Sequence, residues 1–156
     1  MNQTDISNLL AGDGWRAPIF KVLAHNDTGA APGHQAGFLI PKALRSFMPE
    51  LSGRVTADNP TVDKRIQADL FLEDRFVGTV NTRYQFQTWA ATRREESRIT
   101  DELGPIHKQA TEGDVLLIQN SLYGDRCRLT LVRKTSAFHG PLLHLASGRS
   151  WGELFT

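Results

Sequence analysis

The sequence predicts a mainly β fold with a barrel-like core. Three observations lead there: short segments that alternate apolar and polar residues with a period of two, turn formers between them, and only one helix-like stretch before Asp101. A chain of 156 residues, 40% of them hydrophobic, is long enough for one sizeable core, so residues 1–156 are read as a single domain.

The elements follow in order. From Ala17 to His25, Phe20, Val22 and Ala24 alternate with Lys21, Leu23 and His25, the pattern of a half-buried strand. Asn26 to Gly33 carries the Asn, Asp, Gly and Pro residues of a polar surface loop. Phe38-Leu39-Ile40 is a short apolar run, and Pro41 suits the first turn of a helix through Leu44 and Phe47 to Met48, stopped by Pro49. Lys64 to Leu72 places Ile66, Ala68, Leu70 and Leu72 on one face; Glu73-Asp74 turns the chain, and Phe76 to Phe86 returns as the second strand of a hairpin. Val115 to Ile118 reads as a buried strand, and Arg126 to Arg133, with Cys127, Leu129 and Leu131 on one face, closes a second hairpin. The tail from Ser147, with Trp151, Leu154 and Phe155, is too apolar to be a free linker and is expected to pack back on the domain.

Composition excludes several classes of protein. A net charge of +1 is not that of a polybasic nucleic-acid binder, so any such signal must be local. The lone cysteine, Cys127, rules out an internal disulfide and paired-cysteine zinc sites, and a reducing cytoplasm fits it. Met1 to Leu10 lacks the basic start and apolar stretch of a secretory signal, and no window approaches the roughly 20 apolar residues of a membrane span, so a soluble cytoplasmic protein is expected.

Metal-dependent nuclease chemistry calls for an acid two residues before a lysine. Here Lys21, Lys42, Lys64, Lys108 and Lys134 are preceded at that spacing by Ile19, Ile40, Val62, Ile106 and Val132. His139 and His144 are offset by five residues, which does not place them on one helix face for a shared metal. Cys127 lies between Arg126 and Arg128, but its alternation with Leu129 and Leu131 points it into the core.

Two polar segments leave the ends of expected strands. In the first, Asn26 to Gln35, glycines allow close backbone approach while Asp27, Thr28, His34 and Gln35 offer donors and acceptors; an ordinary connecting loop has the same composition. In the second, Gln87 to Thr100, Arg93, Arg94 and Arg98 are interleaved with Glu95 and Glu96. Arginine pairs with guanine O6 and N7 and a carboxylate accepts from cytosine N4, so this mixture can read G·C pairs in the major groove. A purely phosphate-binding surface would avoid the acids. The alternative is a solvated helix face with local Arg–Glu pairs. Trp89 can stack on a base, or anchor the arm to the barrel. Lys42 and Arg45 on the short helix, and Arg126, Arg128, Arg133 and Lys134 on the last hairpin, are either phosphate contacts or solvated surface.

Together these segments resemble the N-terminal effector domain of EcoRII-type restriction endonucleases. The run Asn26-Asp27-Thr28-Gly29-Ala30, then Gly33-His34-Gln35, Gly37 and Ile40-Pro41, is similar to the family's first DNA-recognition loop; Thr-Arg-x-Glu-x-Arg-Ile-Thr, with Arg94, Glu96 and Arg98, is similar to its arm. Where the family arm carries lysines this chain has Thr92 and Ser97, which moves phosphate contact towards Arg93.

The resemblance implies an open seven-stranded DNA-binding pseudobarrel with short flanking helices, a fold shared with plant transcription-factor DNA-binding domains. It implies a loop and an arm that grip duplex DNA like a wrench, a 5'-CCWGG type of site, a monomer, and a separate C-terminal nuclease domain that alone needs Mg²⁺. No cofactor and no catalysis are expected of this chain. The candidate DNA-binding residues are Lys21, His25, Asn26, Asp27, Thr28, His34 and Gln35 in and beside the loop, and Trp89, Thr92, Arg93, Arg94, Glu95, Glu96, Ser97 and Arg98 in the arm. Two other readings stay open: a small β-barrel hydrolase using His34 with a nearby acid, although no Gly-x-Ser-x-Gly motif is present, and a protein-interaction module.

Overall fold

The computed structural model describes residues 5–29, 37–56, 58–88 and 95–156. Its strands are β1 (Ile19–Val22), β2 (Phe38–Ile40), β3 (Thr61–Leu72), β4 (Arg75–Gln87), β5 (Glu96–Thr100), β6 (Val115–Asn120), β7 (Arg126–Val132) and β8 (Trp151–Glu153). They form one eight-stranded sheet in the order β2-β5-β4-β3-β7-β6-β1-β8. All neighbours are antiparallel except β3 and β7, which run parallel from Gln67 opposite Arg126 to Leu72 opposite Leu131.

Alternation decides which face of each strand is inside. Ile66, Ala68, Leu70 and Leu72 of β3 meet Cys127, Leu129 and Leu131 of β7, Leu116 and Ile118 of β6, Ile19 of β1, Ile99 of β5, and Phe38 and Ile40 of β2 in one core. That core draws on both ends of the strand order, so the sheet curls into an open barrel. This is the pseudobarrel class anticipated, with eight strands rather than seven. Gln67 and Asp69 of β3, whose side chains point away from the core, face the polar outside.

The expected half-buried strand at Ala17 to His25 is shorter and buried on both faces. Ile19 belongs to the barrel core, whereas Phe20 packs in a second cluster with Leu9, Val115, Leu117, Leu142, Ala146 and Leu154. Two flanking elements supply that second cover, a 3₁₀ turn at Ile6–Leu9 and α2 (His139–Ala146). The helix expected from Pro41 is a 3₁₀ turn at Lys42–Phe47, with Pro41 just ahead of it, and a further 3₁₀ turn at His25–Asp27 begins what reads as a loop. The tail does pack back: β8 pairs with β1 and Leu154 is buried, while Trp151 and Phe155 keep about half their surface in solvent. Among the described residues no helix is long and apolar enough to cross a membrane.

Both hairpins are present as read, β3 with β4 and β6 with β7. Cys127 lies fully buried between them, and burial, with a smaller contribution from Asp69, pushes its thiol up to about 12. A thiolate-directed reagent therefore finds nothing to attack in the folded chain. Alkylation of the native protein near pH 8 should be negligible over hours and become complete within minutes in denaturant; rapid labelling of native protein, followed by mass spectrometry, would contradict this burial.

Candidate nucleic-acid interface

The first polar segment starts where β1 ends and re-enters the sheet at β2. Its opening turns inward rather than outward: Asp27 is completely buried and Thr28 nearly so, whereas His25 and Asn26 are exposed. The Asp27 carboxylate accepts hydrogen bonds from the backbone N–H of Ala24 (2.9 Å) and of Leu39 (2.9 Å), and so joins the two stems of the segment. Lys21, on the interior face of β1, donates its ammonium to Asp27 at 2.8 Å and to the Leu39 carbonyl at 2.8 Å. Burial pushes this ammonium below the usual lysine range, and the Asp27 charge restores part of the loss. Removing one partner of such a pair strands the other charge, at a typical cost of about 3–5 kcal/mol.

Gly37 is the other stem. Its φ of +88° lies in the left-handed region, and a Cβ there would collide with the Ile99 carbonyl oxygen and come within 2.9 Å of the Thr100 Cα. Only glycine lets the loop backbone press this closely on β5, the strand that carries the end of the arm. His107, at the end of α1 (Gly104–His107), stands edge-on to Phe38 with ring centroids 5.4 Å apart. Burial holds its pKa below the ordinary value; the backbone and carboxylate of Asp27 and the backbone of Gly37 pull it up by less, and Arg98 adds to the lowering.

The C-terminal end of the arm is a strand, not a helix face. Glu96 pairs with Gln87, Arg98 with Gln85 and with Leu39, and Ile99 with Tyr84 and Phe38. Ser97 and Ile99 therefore point inside and are fully buried, while Glu96 and Arg98 share the opposite face with Gln85 and Gln87. A polar row runs along that face: Gln85 donates to Gln87 at 2.8 Å, Gln87 to Glu96 at 2.7 Å, and Arg98 to Glu96 at 3.4 Å. Arg98 is 4% exposed, and its Nε and Nη1 have no hydrogen-bond partner among the described residues. Arg45 braces the arm from the 3₁₀ turn, 3.7 Å from the half-exposed Glu95 carboxylate and 5.1 Å above the Phe86 ring.

Of the candidate residues, the structure gathers Lys21, Asp27 and Thr28 at the loop stem and Glu95, Glu96, Ser97 and Arg98 on the adjoining strand. Lys21, Asp27, Thr28, Ser97 and Arg98 are buried; His25, Asn26 and Glu95 are exposed, and Glu96 is partly so. His34, Gln35, Trp89, Thr92, Arg93 and Arg94 lie outside the described residues. Sequence reasoning had Gly37 in the loop motif but not its contact with β5, and it missed Leu39, Gln85, Gln87 and His107 as parts of this region, because their places depend on strand register. Arg126 and Arg133 are held by Asp69 (2.8 Å) and Glu73 (2.7 Å), and Arg128 stacks 4.0 Å from the Phe71 ring. His139 binds the Gly113 carbonyl at 2.8 Å, and among the described residues no group of three His, Cys, Asp or Glu side chains is placed to hold a metal ion.

His107 generates a pH dependence whose sign is fixed by its lowered pKa. The fold favours the neutral ring, so its contribution is complete above the unfolded value of about 6.5 and declines as pH falls from there towards the folded value. On acidification from about pH 7.5 to 5.5 the melting temperature of wild type should therefore fall further than that of His107→Gln. Parallel pH profiles of the two proteins would refute the assignment.

The matched family is described as restriction endonuclease EcoRII, N-terminal, and the match runs over residues 16–129. That span takes in β1 to β6, both recognition segments and the start of β7; β8, which raises the strand count to eight, lies beyond it. No curated protein matches the chain. With more than half of its length matched, and with the loop stem and the arm strand packed together on one curled sheet, the chain belongs to the EcoRII N-terminal family, the DNA-binding effector domain of restriction endonucleases.

Proposed function

We propose that this chain is the non-catalytic recognition module of a type II restriction endonuclease, and that it reads a 5'-CCWGG-type site through the major groove as a monomer. The observation that carries the reading is the shared seat of the two segments: Gly37 of the loop stem rests on Ile99 and Thr100 of the arm strand, so both polar segments emerge from one rigid piece of sheet. Glu96 offers a carboxylate to cytosine N4, and Arg94 offers its guanidinium group to guanine O6 and N7, the groups a CC/GG half-site displays, while the buried Arg98 holds Glu96 from the same strand face. His25, Asn26, His34 and Gln35 supply the loop's donors and acceptors; Arg93 and Thr92 serve the phosphates, and Trp89 serves as a stacking platform or an anchor of the arm. A central A·T pair makes the site only pseudo-symmetric, which one loop and one arm on opposite halves can cover. Cleavage, and the Mg²⁺ it needs, then belong to a separate nuclease domain.

Gel-shift titrations with a CCWGG duplex and a scrambled duplex of equal length test this. Specific affinity on the order of 10⁻⁸ M, falling steeply with salt, is expected, with much weaker binding to the scramble. Equal binding to both at moderate salt would reject recognition of this site, and cleavage of plasmid DNA by the chain with Mg²⁺ would reject the non-catalytic role. Glu96→Ala or Arg94→Ala should cost about 1–3 kcal/mol and relax discrimination at one base pair, whereas Arg93→Ala should weaken all sequences alike.

A further inference from the structure

β1 and β2 are far apart in the strand order, with β5, β4, β3, β7 and β6 between them. They nevertheless meet inside the barrel, where a polar link joins them: the Lys21 ammonium on β1 reaches the Leu39 carbonyl on β2 at 2.8 Å. The Asp27 carboxylate completes the junction by taking the same ammonium and the Leu39 N–H. No backbone ladder joins these two strands. The seam of the open barrel is thus closed by a buried ion pair, at the point where the recognition loop leaves and re-enters the sheet. Leu39 is in turn the ladder partner of Arg98, whose guanidinium is near enough to Lys21 to act on its charge.

We propose that Lys21 and Asp27 are positioning residues for DNA recognition: their buried pair locks the loop stem onto the arm strand and sets sequence discrimination without contacting DNA. The inference rests on the DNA-reading function proposed above. Lys21 spends its charge internally, with 9% of its side chain exposed, and Asp27 has no exposed surface to offer a base. What the pair controls is the relative placement of the two segments. Base-edge contacts depend on that placement far more than phosphate contacts do, because hydrogen bonds to bases have narrow geometry and phosphate attraction is long-ranged.

The test uses the charge-neutral double variant Lys21→Met/Asp27→Asn, which strands no buried charge, alongside wild type. Each is titrated with the CCWGG and scrambled duplexes across a salt series, and hydrogen exchange is followed at the Ala24 and Leu39 amides without DNA. The expected result is a loss of about 10-fold or more in affinity for the specific duplex, with scrambled-duplex affinity changed by no more than about 2-fold and an unchanged salt slope. Faster exchange at Leu39 and Ala24 should accompany it. A salt slope shallower by about 0.9 would mean that Lys21 touches a phosphate, and would overturn the inference. So would equal proportional losses on both duplexes, the mark of a merely less stable fold, or an unchanged ratio between them. If the double variant does not fold, Lys21→Arg, which keeps a cation beside Asp27 but moves its donors, should show the same selective loss in smaller measure. A wild type without sequence preference would overturn the proposed function itself; a discriminating wild type with equally discriminating variants overturns only the role of the pair.

Discussion

An open sheet that curls without a closing ladder needs something else to hold its two sides together, and here the shared apolar core is joined by one polar link, the contact of Lys21 with Asp27 and Leu39. Its cost is the desolvation of two charges, which Coulomb attraction offsets only when geometry is good and the remaining donors and acceptors are filled. Those conditions are met at Asp27, whose oxygens take two backbone N–H groups besides the ammonium. An apolar pair of the same volume would seal the barrel as well, but it would leave the Ala24 and Leu39 amides without their acceptor. The ion pair is therefore suited to a seam that must also define the path of a loop.

Most of the architecture was legible where alternation is strict. Ile66, Ala68, Leu70 and Leu72 announce β3 and its inner face, and Cys127, Leu129 and Leu131 announce β7, because both sets recur with a period of two and all seven side chains are buried in one core. β1 was misread as half-buried because two separate cores bury its two faces, so that Phe20 and Ile19 are equally interior. Lys21 adds to the confusion: a lysine at an inward position signals exposure until its partner is known, and that partner lies in a stretch with the composition of a surface turn. β8 is three residues long with a glycine at its centre, too short for a period to register.

The recognition region was legible as chemistry and not as geometry. Arg and Glu interleaved after a tryptophan stated that G·C edges could be read, but nothing in Glu96 to Thr100 distinguishes a strand from one side of a helix. That distinction comes from Tyr84 and Phe38, which sandwich Ile99 through ladders on both sides. The division of labour among the polar residues was hidden for the same reason. Ser97 and Arg98 are neighbours in sequence and lie on opposite faces of β5, and of the neighbours Asp27 and Asn26 the first is buried and the second exposed.

The near-neutral charge of the chain follows from how the scaffold spends its bases. On the barrel wall several of them are matched by acids: Arg83 with Asp63 and Asp101, Arg65 with Asp101, Lys64 with Asp125, Arg126 with Asp69, and Arg133 with Glu73. Exposed pairs of this kind add little stability, but they cancel the far field that would draw any DNA to any face of the barrel. A module that must tell one short site from a long excess of others gains from that cancellation, because its discrimination is the ratio of specific to non-specific affinity and the denominator is set by unmatched positive charge. Acids inside the arm act in the same direction. Glu95 and Glu96 weaken attraction to the phosphates in general, and in the proposed mode of reading only a cytosine amino group, met at the right depth in the groove, turns one of those penalties into a bond.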